Sequence, residues 1–172
     1  LEDTLLCIEK AADSKKTGSA LDNARKAKLF EQLFLLYGAK PGSAAARTAY
    51  AKKLLGVPGT DVNLKVMALT HLAGECATTY GVWNAGYIQR YVELKPESEL
   101  SKMQDDYIAY MSDLVQLQVP NAAQAAAFRN ELAAAFLYKG DVKQALAHYQ
   151  AAAALGLEKA GKQAYGDAAV GI

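Results

Sequence analysis

Apolar residues in this chain recur at the i, i+3, i+4 spacing of a helix, and no segment of useful length alternates with period two. The pattern predicts helices throughout and no sheet. It is clearest near the end, where Leu132, Ala135 and Phe136 are followed by Val142, Ala145, Leu146, Tyr149 and Ala152. Two amphipathic helices are expected there, over 122–138 and 142–155, joined at Gly140-Asp141. Gly140 suits the left-handed conformation that closes a helix, and the Asp141 carboxylate suits the cap of the next one. Alanines at facing positions let the two helices approach closely. Such a hairpin cannot bury its apolar face alone, so it implies neighbours.

The same spacing predicts the rest of the chain. A short helix over 1–12 turns Leu5, Cys7 and Ile8 inward, and a polar loop follows. Ser19 and Asp22 approximate a capping box for a helix over 20–37, which stops at Gly38. Ser43 is the expected cap of a helix over 43–55, and Thr60 or Asp61 that of a long helix over 61–80. A shorter helix over 83–94 follows Gly81 and carries Gly86, where either close packing or a weak spot is expected. Ser98 is the expected cap of a helix over 99–118, and Pro120-Asn121 breaks it, with Asn121 capping the next.

Long-then-short helix pairs recur at 20–37 with 43–55, 61–80 with 83–94, and 122–138 with 142–155. In the third pair, Leu132-Ala133, Phe136, Gly140-Asp141, Ala145, Tyr149, Ala152 and Leu155 stand in an order and spacing that resemble a tetratricopeptide repeat (TPR). The resemblance covers 130–157, and 84–96 echoes the end of such a repeat. Arg129 and Leu157 depart from it, standing where the family often has tryptophan and proline. The expected fold is all-α: stacked antiparallel helical hairpins, in a TPR-like α-solenoid or a bundle, of roughly seven to eight helices. One helical domain is expected over 1–165, with a tail over 166–172. The resemblance implies a peptide-contacting face on the first helix of the hairpin, which would include Asn130, Ala134, Leu137 and Tyr138.

Composition narrows the function classes. The net charge is +1, from 19 basic and 18 acidic residues, which argues against an electrostatic nucleic-acid binder. No run approaches the roughly 18 apolar residues of a membrane-spanning helix. The chain begins at Leu1 rather than methionine, which reads as a processed N-terminus and leaves an organelle lumen or the periplasm open as a compartment. Cys7 and Cys76 fall on apolar helix positions and read as two buried thiols. A Cys7–Cys76 disulfide is the sharper alternative and would require an oxidising compartment.

No catalytic, cofactor or metal site is expected. His71 and His148 lie in different helices and outside any His-Glu-x-x-His arrangement. His71 precedes Cys76 by a spacing that puts it about 140° round the helix, too far to activate the thiol. Asp105 and Asp106 are adjacent and point apart. Neither a phosphate-binding glycine loop nor a Gly-x-Ser-x-Gly elbow is present. The aromatics remain. Tyr80, Trp83, Tyr87 and Tyr91 cluster with Arg90, and these residue types are the ones enriched in binding hot spots. The plainer reading has the rings filling space between helices.

Three functions fit in decreasing order: a non-enzymatic scaffold that binds protein within a larger assembly, an extrinsic helical subunit docked on a membrane complex, and an enzyme or small-ligand carrier. The expected partner-binding residues are Tyr80, Trp83, Tyr87, Arg90, Tyr91, Asn130 and Tyr138.

Overall fold

The computed structural model describes residues 20–80 and 97–155, together with Cys7 and Lys10. Among the described residues there are six helices and no strand: α1 (Ala20–Ala39), α2 (Ala44–Leu55), α3 (Val62–Tyr80), α4 (Glu97–Gln116), α5 (Ala122–Tyr138) and α6 (Val142–Ala153). The fold is all-α. Six is fewer than the seven or eight expected; the segment 83–94 lies outside the described residues, as does 1–12 apart from Cys7 and Lys10, which are both helical. The chain divides into two compact units, Leu1–His71 and Leu72–Ile172, with the boundary inside α3.

In the first unit α1 packs on α2. Leu33, Phe34, Tyr50, Ala51 and Leu54 supply the buried surface. Aromatic rings join the two helices: Tyr50 stacks on Tyr37 with centroids 5.5 Å apart and meets Phe30 at 6.1 Å. Lys53 lies 4.7 Å over the Tyr50 ring, so its aliphatic stem covers aromatic surface while its charge stays near water. Gly38, expected to stop α1, lies one residue inside it. An added Cβ there would meet the Arg47 guanidinium at 3.1 Å, so the missing side chain makes room for Arg47.

Two expected caps differ from the structure. The Ser43 side chain makes no cap hydrogen bond, because its backbone (φ −103°, ψ 15°) is not the extended one a capping hydroxyl needs. Ser98 lies inside α4, which begins at Glu97. Thr60 is buried and turns its hydroxyl back onto the end of α2, 3.0 Å from the Leu54 carbonyl and 2.8 Å from that of Val57. Asp61 takes the other role and accepts the Asn63 N–H at 2.8 Å.

In the second unit α4 packs on α5 and α5 on α6. Tyr107 donates its hydroxyl to Glu131 Oε2 at 3.1 Å, and Lys139 pairs with Asp105 at the surface, an exposed pair of small energetic weight. Asn121 caps α5, as its sequence position predicts, accepting the N–H groups of Ala123 and Gln124 at 3.0 and 3.3 Å. The turn between α5 and α6 is a Schellman motif. Asp141 N–H donates to the Phe136 carbonyl at 2.9 Å, and Gly140 N–H to the Leu137 carbonyl at 3.0 Å. Gly140 has φ +84°. Asp141 then caps α6 by accepting the Gln144 N–H at 3.0 Å, so one residue ends one helix and starts the next. An added methyl at Gly140 meets nothing within 4 Å. The cost of Gly140→Ala is therefore purely conformational, and about 1–2 kcal/mol of stability is expected to be lost in urea unfolding.

Candidate partner-binding surface

The Schellman turn brings the end of α5 and the start of α6 together, and both present large apolar side chains to solvent. Leu137 is 49% exposed, Tyr138 45%, Val142 62% and Leu146 37%. Lys139, Asp141 and Lys143 intersperse charge among them. An apolar centre among charged neighbours is the usual composition of a protein-binding patch. Leu137 and Tyr138 are where the hairpin pattern places an exposed face. Val142 and Leu146, expected to face α5, do not. The buried stripe of α6 is Ala145 and Ala152, and Leu146 lies a further 100° round the helix.

Asn130 is not part of this surface. It is buried, 7% exposed, on the stripe it shares with Ala126 and Ala133. Tyr80 is the last residue of α3, and its side chain lies outside the described residues. Trp83, Tyr87, Arg90 and Tyr91 lie outside them as well. Of the seven residues singled out by sequence, the structure places Tyr138 at the exposed turn.

Both histidine rings pack against phenylalanines. His71 Nε2 lies 3.3 Å from Thr48 Oγ1, and its ring meets Phe34 edge-on at 5.2 Å. The His148 ring stacks on Phe136, parallel within 5° at 5.6 Å. Both cysteines are free thiols, Cys76 buried as expected and Cys7 exposed. Tyr110 is pushed above the usual tyrosine range by burial first, then by Asp106 and Cys76. No group of three or more potential metal ligands converges among the described residues. No helix among them is long and apolar enough to cross a membrane.

His148 is held below its ordinary value of 6.5, by burial first and by the Arg129 charge second. The unfolded chain therefore takes up this proton at a higher pH than the folded chain does. The His148 contribution to stability is full above about pH 6.5 and is lost as the pH falls through the window between that value and the lower folded one. His148→Gln is expected to flatten this acid limb of a melting-temperature profile recorded by circular dichroism. An unchanged slope would remove His148 as its source.

Comparisons with protein families, with curated proteins and with solved structures find no match to this chain.

Proposed function

We propose that this chain is a non-enzymatic helical scaffold that binds a protein partner, as one subunit of a larger assembly. The observation that carries the reading is the exposed apolar group Leu137, Tyr138, Val142 and Leu146 on the two sides of the Gly140 turn. Burying such side chains against a partner removes apolar surface from water at about 25 cal/mol per Å². Tyrosine adds a rigid aromatic anchor with a polar tip. The α5–α6 unit is read as a TPR-like hairpin. Support for that comes from the Schellman turn, the Asp141 cap and the small buried residues Ala133, Ala145 and Ala152 along the helix pair.

The test is site-specific photo-crosslinking in an extract of the source organism. A benzophenone amino acid at position 138 or 146 is expected to give a protein adduct of one common mass, and the same probe at exposed Ala109 none. The double substitution Val142→Lys with Leu146→Lys is expected to abolish the adduct while leaving the helical circular dichroism unchanged. Absence of a common adduct at 138 and 146 removes the scaffold reading of this surface.

A further inference from the structure

The geometry points to a second site, at the opposite end of the same hairpin: the cleft beside Arg129 binds a small amphiphilic monocarboxylate, one carboxylate on an unbranched apolar body. The inference goes beyond the scaffold reading and does not depend on it.

The cleft has a volume of about 340 Å³, at the lower end of the range of small-molecule sites. Its walls are Leu117 and Val119 from the segment after α4, Ala125 from α5 and Leu155 from the end of α6. Hydrogen bonds within the chain shape the first of these walls. Leu117 N–H reaches the carbonyls of Asp113 and Leu114 at 3.2 Å, Val119 N–H donates to Leu117 at 2.9 Å, and Asn121 closes the segment by capping α5.

Among the described residues of the lining, Arg129 supplies the only charge. It is half-buried and makes no ion pair or hydrogen bond among the described residues. The charge is nevertheless felt nearby, since it helps to hold His148 below its ordinary value. A guanidinium at an apolar wall has lost part of its hydration, and an anion that offers two coplanar oxygens restores it best. One cation suits one carboxylate; a phosphate dianion would bring charge that no second cation among the described lining residues meets. The exposed carboxamides of Gln116 and Gln118, also in the lining, can add neutral donors. The bounded volume takes a short alkyl chain. Arg129 is also one of the two positions at which the hairpin departs from the tetratricopeptide pattern.

The test is calorimetric and NMR titration of the full chain with octanoate, octan-1-ol and octylamine. Octanoate is expected to bind and to shift the amides of Leu117, Val119, Ala125 and Leu155. The neutral and cationic analogues are expected to bind about ten- to a hundred-fold more weakly, the range set by a charged hydrogen-bonded pair. Arg129→Gln is expected to bring octanoate down to the affinity of octan-1-ol, and Arg129→Lys to restore part of the difference. The shift map and the analogue series use the wild-type chain, so they decide the matter even if Arg129→Gln fails to fold. The site is overturned if octanoate does not bind, if octan-1-ol matches it, if the shifted amides lie away from the cleft, or if a folded Arg129→Gln keeps full affinity.

Discussion

Ala145→Glu is expected to unfold the C-terminal hairpin. Ala145 is 2% exposed and lies in the first turns of α6, the helix that packs on α5. A methyl group fits there because the helices approach closely at small residues: Ala133 and Ala135 on α5 are buried, as is Ala152 further along α6. A glutamate at this position has two outcomes. Its carboxylate stays buried without a partner, or α6 moves off and exposes the surface that Ala145 and Ala152 cover. A buried unpaired charge costs about 3–5 kcal/mol, a large part of the roughly 5–15 kcal/mol that holds an ordinary domain together. Ala147, two positions on, is exposed and provides the control. Ala147→Glu is expected to change stability by no more than about 0.5 kcal/mol. Urea unfolding of the two variants, with amide hydrogen exchange read along α5 and α6, separates the cases. Equal stability of Ala145→Glu and the wild type would mean that the α5–α6 packing described above is wrong.

The hairpin was legible in sequence because its signals are local. The left-handed glycine, the Asp141 and Asn121 caps and the alanine spacing each act within one turn of backbone, and the helix bounds followed to within a few residues. What escaped depends on neighbours. Val142 and Leu146 are apolar and helically spaced, which is all that periodicity registers. Whether they are covered depends on which stripe of α6 meets α5, and that stripe holds the buried Ala145 and Ala152 with His148 stacked on Phe136, and leaves Val142 and Leu146 exposed. Asn130 shows the reverse case. Its polarity marks it as exposed, yet its spacing from Ala126 and Ala133 places it on the buried stripe, and spacing is the signal that would have found it. Ser43 has the chemistry of a cap without the backbone angles. The aromatic cluster at 80–91 was the most prominent sequence candidate, and it lies almost wholly outside the described residues. The Arg129 cleft had no sequence signature, since its lining comes from three separate stretches brought together by helix packing.

Phe34→Ala is expected to cost the first unit about 3–5 kcal/mol, the range for losing a buried phenylalanine. Phe34 is among the largest fully buried side chains, and two polar groups meet its ring. The Arg47 guanidinium lies 4.6 Å from its centroid, and the His71 ring meets it edge-on at 5.2 Å. Arg47 Nε is buried and has no hydrogen-bond partner among the described residues, so the ring face is what offsets its lost hydration. Removing the ring thus costs more than a cavity, because it also leaves a buried donor uncompensated. Phe34→Leu separates the two effects: it keeps apolar contact and removes the π face. Arg47→Met keeps most of the stem and removes the charge. A double-mutant cycle on Phe34→Leu and Arg47→Met, measured by urea unfolding, is expected to give a coupling of about 1–2 kcal/mol, as for a desolvated cation over a ring. A coupling near zero would reduce Arg47 to a space-filling stem in the gap that Gly38 leaves, and the cost of Phe34→Ala would then be that of the cavity alone.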